Sequence, residues 1–168
     1  AFVGRLTHQK GPYHLLETAE KVIRKFPNVR FVVAGTGEKM KEVIDWTAFK
    51  GLSRHFLFTG FVAREKVEQL LAVADVYFMP SVSEPFGLSA LEAAQFNVPC
   101  VISKQSGVAE MLQHALQADY WDTDTFAEHI VRLLSDEQYH REVLTAMQGD
   151  LQNISWDDAA MRVIKEYR

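Results

Sequence analysis

The sequence predicts an α/β fold: a doubly wound parallel sheet of about six strands with helices on both faces, and extra helices at the C-terminal end. Three observations predict it. Short β-rich runs alternate with segments of helical periodicity, which is the mark of βα units around a parallel sheet. Nearly half of the 168 residues are apolar, enough for one ordinary domain that buries roughly 70% of the surface its unfolded chain exposes. From Thr123 the texture changes to consecutive helical segments.

The elements follow in order. Ala1–Gly4 reads as the first strand, and Arg5–Gly11 as the loop leading to a helix over Pro12–Phe26. Pro12 suits a first helical position, where its missing N–H costs nothing. Arg30–Ala34 is the second strand; the Gly35-Thr36-Gly37 turn leads to a helix over Glu38–Lys50. That turn serves a tight strand-to-helix corner, since a dinucleotide fingerprint needs glycine where Met40 stands. His55–Thr59 and Val76–Met79 are strands separated by a helix over Glu65–Ala74. A helix over Gly87–Phe96 precedes a strand at Cys100–Ser103, a short helix near Val108–Gln113 and a weak strand at Ala115–Tyr120. The closing helices are Thr125–Leu134, Glu137–Gln152 and Asp157–Tyr167, with capping-box spacings at Ser135/Gln138 and Ser155/Asp158. No internal repeat, low-complexity segment or linker divides the chain, so residues 1–168 read as one Rossmann-like domain. The abrupt first strand, with no lead-in, gives the expectation of further sequence upstream.

Charge and composition exclude some functions. A net charge of −4 with no long basic run argues against nucleic acid as the main partner. No apolar stretch approaches the roughly 20 residues of a transmembrane helix, and none reads as a signal peptide. Cys100 is the single cysteine, set in an apolar strand as inert packing, and a cytoplasmic location is the expectation. The six histidines lack metal-ligand spacing, and His8 reads as a solvated loop residue. There is no nucleophile elbow or Cys/His pair.

If the strand order is 3-2-1-4-5-6, ligands bind where the chain reverses direction, between the first and fourth strands. The loops bordering that point are Arg5–Gly11 and Pro80–Phe86, which carry Arg5, Lys10 and Glu84. Two cations beside a helix N-terminus make an anion site, and Gly87 opens a second helix aimed at the same crevice. Two helix ends with two cations suit a diphosphate better than a single carboxylate. Glu84 stands before a proline turn and Glu92 inside the following helix, on a face shared with Leu88. Ser89-x-x-Glu92 also has capping-box spacing, which offers Glu92 a purely structural role. A glycosidase pair lies about 5–9.5 Å apart. Helical rise places these two roughly 9–12 Å apart, contacting different parts of one long ligand, although rise alone leaves the shorter distance open.

Phe2-Val3-Gly4-Arg5-Leu6 with Lys10-Gly11, and Glu84-Pro85-Phe86-Gly87-Leu88 with Glu92, resemble the C-terminal, donor-binding half of retaining glycosyltransferases of the GT-B fold. This is the broad class of group 1 glycosyl transferases and glycogen synthase relatives, and the resemblance extends over essentially the whole chain. It implies that Arg5 and Lys10 bind the donor diphosphate and stabilise the departing nucleotide. It also implies that Gly4 and the backbone of Phe86, Gly87 and Leu88 hold phosphates and sugar. By the same resemblance Glu84 sits near the transferred sugar, Glu92 takes the ribose hydroxyls, and the loop of Gly60 to Val62 lies near the base. The implied reaction moves a hexose from a nucleotide diphosphate sugar to a sugar, lipid or glucan acceptor, with retention and without a metal or other cofactor. Two stretches depart from the pattern: Gln105-Ser106-Gly107-Val108-Ala109-Glu110, and Ala118-Asp119-Tyr120-Trp121. The implied N-terminal acceptor-binding half is missing, so this chain is expected to bind donor and turn over little. Membrane association of the full protein stays open, as do two other readings: a sugar-nucleotide epimerase or hydrolase, and a non-catalytic regulatory domain.

Overall fold

A computed structural model describes residues 1–152 and 154. The expected helix over Asp157–Tyr167 and the Ser155 cap lie outside these residues. Two three-stranded parallel sheets form the centre. The first is β1 (Phe2–Val3), β2 (Phe31–Ala34) and β3 (Phe56–Gly60), in that order. The second is β4 (Tyr77–Met79), β5 (Cys100–Ser103) and β6 (Leu116–Ala118). They meet along β1 and β4, where the Phe78 N–H donates to the Ala1 carbonyl at 2.8 Å. The resulting order is 3-2-1-4-5-6, as a doubly wound sheet requires. The seam carries so little ladder because β1 has only two residues, already paired with Val33 and Ala34 of β2.

Among the described residues six helices accompany the sheet: α1 (Pro12–Lys25), α2 (Met40–Phe49), α3 (Arg64–Leu71), α4 (Leu88–Gln95), α5 (Thr123–Ser135) and α6 (Glu137–Gln152). The segment expected as a short helix near Val108 is a 3-10 turn over Gly107–Glu110. Helix α1 packs beside α5, and α4 beside α6, so both faces are covered. Tyr77, Phe78, Met79, Cys100, Val101 and Ile102 are all buried, as expected for central strands covered on both faces. The Cys100 thiol is fully buried, and burial pushes its pKa well up, which agrees with inert packing.

Two caps differ from the sequence reading. Ser135 donates back to the Val131 carbonyl at 2.8 Å and does not cap α6. Asp136, one residue on, accepts from the Tyr139 N–H at 2.9 Å and takes that role. Helix α5 begins two residues earlier than expected because Asp122 accepts from both the N–H and the hydroxyl of Thr125, at 3.0 and 2.7 Å. The Thr125 backbone bond, then its hydroxyl bond, hold the Asp122 carboxyl below its ordinary 3.8. The cap is therefore fully formed above the unfolded-state pKa and is lost as pH falls through the folded one. Asp122→Ala is expected to lower stability by about 1 kcal/mol at pH 7. Urea melts should show that difference shrinking towards zero as pH falls below 3.8 and through the lowered folded-state pKa.

Candidate functional site

The site is built by two loops drawn together at the carboxyl ends of β1 and β4. After β1, residues His8–Lys10 form a 3-10 turn that ends at Gly11, the residue before α1. Gly11 has a φ of +65°, and a Cβ there would stand 2.0 Å from the Pro80 carbonyl oxygen. The first turn of α1 thus presses directly on the backbone leaving β4. The Val82 N–H also donates to the Gln9 carbonyl at 2.8 Å, lacing the two loops. Only a glycine allows this approach.

The consequence is an ion pair between residues 74 positions apart: Lys10 Nζ donates to Glu84 Oε2. The two side chains are 20% and 13% exposed, partly shielded from water, so the pair is screened less than a surface bridge. Lys10 runs over Gly4, whose built Cβ would lie 3.5 Å from Lys10 Cε. Glu84 is fixed from the far side as well. Its N–H donates to the Gln105 carbonyl at 3.2 Å, and its carbonyl accepts from Gly107 at 2.9 Å. Beneath lies a buried hydroxyl network, in which Ser103 Oγ donates to the Ser81 carbonyl at 2.6 Å and stands 3.1 Å from Ser106 Oγ. The departure at Ser106 thus has a place in the fold: it braces the loop that carries Glu84.

Gly87 precedes α4 with a φ of +101°, and a Cβ there would come within 2.8 Å of Val108 Cγ1. This seats the N-terminus of α4, with its unsatisfied first N–H groups, at the same end of the sheet as that of α1. Ser89 does not form the capping box. Its hydroxyl accepts from the buried Tyr77 phenol at 2.7 Å, and α4 has no side-chain cap. Burial pushes the Tyr77 pKa up, so the phenol stays a donor. Glu92 is thereby released from a capping role; it is half-buried, and its carboxylate makes no hydrogen bond or ion pair among the described residues.

The remaining candidates fall as follows. Arg5 is exposed at the mouth of the site and has no ion-pair partner among the described residues. Phe86 is 37% and Leu88 63% exposed, so the face that Leu88 marks opens to solvent and does not enclose Glu92 in apolar protein. Val62 is half-buried in the loop after β3, beside the exposed Phe61. His8 is exposed, as expected, and no cluster of histidine, cysteine or carboxylate side chains among the described residues is arranged to hold a metal. Sequence reasoning missed Ser103 and the role of Gly11; the Gly-Pro start of α1 was the available signal for the latter.

Five comparisons bear on this site. The family profile described as "Glycosyl transferases group 1" matches residues 1–147. An uncharacterized glycosyltransferase of Methanocaldococcus jannaschii is 33% identical over 99% of this chain and 44% of its own length. The D-inositol 3-phosphate glycosyltransferase of Corynebacterium urealyticum is 31% identical over 99% of this chain and 42% of its own. This chain therefore spans less than half the length of these relatives. Among solved structures, the C-terminal domain of a glycosyl transferase group 1 family protein from Francisella tularensis superposes with a TM-score of 0.82. It is 22% identical, over 90% of this chain and 83% of that one. The Anabaena protein HepE, solved in complex with UDP, gives 0.84 at 21% identity over 99% of this chain and 47% of its own.

Gly11→Ala is expected to cost more than about 2 kcal/mol, since it meets both a left-handed backbone and a carbonyl oxygen that cannot retreat without moving β4. Gly51→Ala, at a φ of +68° with nothing within 4 Å, isolates the backbone cost alone. Chemical denaturation of both variants should show a clearly larger loss at Gly11.

Proposed function

The chain belongs to the group 1 glycosyl transferases, with the fold of the C-terminal half of a GT-B enzyme, and on that premise we propose that it binds a nucleotide diphosphate sugar for transfer of the sugar with retention. The observation that carries this reading is the pairing of Lys10 with Glu84 between the N-termini of α1 and α4. A diphosphate needs several positive sources at fixed positions, and a helix N-terminus supplies both free N–H groups and partial charge.

Each residue has a role in this reading. Lys10 and Arg5 meet the diphosphate and stabilise the charge that grows on it as the sugar–phosphate bond breaks. Glu84 holds Lys10 in place through Oε2, so the cation is already positioned before donor arrives. Its second oxygen is uncommitted among the described residues and is free to accept from a hydroxyl of the transferred sugar. Glu92, unpaired on the first turns of α4, accepts from the ribose hydroxyls. Gly4 and the backbone from Phe86 to Leu88 line the path between them, with Val62 towards the base. The acceptor and the closing wall of the site belong to a second domain, which makes transfer a property of a longer protein.

A thermal-shift assay of this chain with millimolar UDP, ADP and GDP tests the reading. One of them is expected to raise Tm by about 3–6 °C, the shift that ligand at roughly ten times its Kd gives a domain of this size. Glu92→Ala should shrink the shift and Lys10→Ala should abolish it; no shift with any of the three would overturn the proposal. In a longer parent protein carrying both halves, Lys10→Ala is expected to lower kcat by about 10²–10³, read as nucleotide released with acceptor present.

A further inference from the structure

At the end of the sheet opposite this site, four chain segments converge on one cationic surface. Helix α1 ends there with the exposed Arg24 and Lys25, and α2 ends with Phe49 and Lys50. Arg30, just before β2, and Arg54, in the 3-10 turn before β3, add two more. Hydrogen bonds and ion pairs tie these residues into two groups. Glu20 bridges the two helix ends, pairing with Arg24 at 2.5 Å and Lys50 at 3.2 Å. Arg54 Nε donates to His55 Nε2 at 3.1 Å; His55 Nδ1 stands 3.1 Å from the Val29 carbonyl, and Arg30 donates to that same carbonyl at 3.1 Å. Five cations therefore gather at this end of the fold, where one carboxylate, Glu20, pairs with two of them, on a chain whose net charge is −4.

The neighbouring acids do not cancel this charge. Asp45, one turn before Phe49, is paired with Lys41 at 2.6 Å. Asp75 borders the same 320 Å³ cavity as Arg30 without an ion pair to it among the described residues. Two cations at the end of α1 are partly explained by its dipole, but that accounts for neither Arg30 nor Arg54. At the end of α2 stands Phe49, 86% exposed, with Trp46 one turn behind it and Lys50 Nζ 5.3 Å from the indole centroid.

We propose that this surface docks on an anionic lipid bilayer, the cations meeting lipid phosphates while Phe49 enters the headgroup layer. Charge complementarity selects an anionic partner, and the protruding apolar ring selects one that accepts it by insertion. A nucleic acid duplex, its bases stacked inside, would use the cations and leave Phe49 in water. The surface lies at the amino ends of the strands, so docking leaves the cleft at their carboxyl ends open. This rests on the patch alone and stands whether or not the donor proposal does.

The test is co-sedimentation of the chain with phosphatidylcholine vesicles, with and without phosphatidylserine, at low and high salt. Binding is expected only with phosphatidylserine and should fall as salt rises. Arg30→Glu with Arg54→Glu should weaken it by more than about tenfold, given about fivefold for each basic residue near the surface. Phe49→Ser should also weaken it, and its exposed position keeps the fold intact, which an unchanged thermal melt verifies. No binding, equal binding to neutral vesicles, or binding that ignores these substitutions overturns the proposal. So does binding of a mixed-sequence duplex RNA through these residues by protein that ignores vesicles.

Discussion

Everything at the candidate site depends on one close approach, Gly11 against the Pro80 carbonyl. The strands β1 and β4 share little backbone pairing, because β1 is short. Contact between the loops that follow them does what a longer ladder would do. It puts Lys10 beside Glu84 and sets two helix N-termini at one end of the sheet. A Cβ at position 11 would push the halves apart and separate the pair, so stability and the site share one constraint.

The same constraint explains how Glu84 is placed. In the proposed reading, a loop carboxylate near a developing anion is unfavourable unless a cation lies between them. Here Lys10 is that cation, and the loop is braced by Gln105 and Gly107 above a layer of buried serine hydroxyls. The preorganisation sits in neutral groups, whose hydrogen bonds do not change the net charge of the site. Glu92 stands outside this network. Because Ser89 is engaged by Tyr77, nothing on α4 competes for the Glu92 carboxylate.

Much of this was legible in the chain. The order of strands and helices follows from alternating periodicity, and the bordering loops follow from that order. What sequence spacing does not give is orientation. Leu88 and Glu92 share a helix face, but spacing alone cannot say that the face opens to solvent. Local signals also compete: Ser135 and Asp136 are adjacent cap candidates, and only the path of the chain makes the aspartate win. The Lys10–Glu84 pair joins residues 74 apart, and the cationic surface gathers residues from four segments, none of them a basic run. Both are products of topology.

The central claim is that the N-termini of α1 and α4 grip a diphosphate with Lys10 between them. Titrating the isotopically labelled chain with UDP, ADP and GDP while following backbone amide resonances addresses it most directly. The account predicts that the nucleotide that binds moves the amides of Gly11, Tyr13 and His14 and of Gly87 to Ser89 together, with Gly107 following because it bonds the Glu84 carbonyl. Shifts confined to other surfaces, with these amides unmoved at saturation, would contradict it.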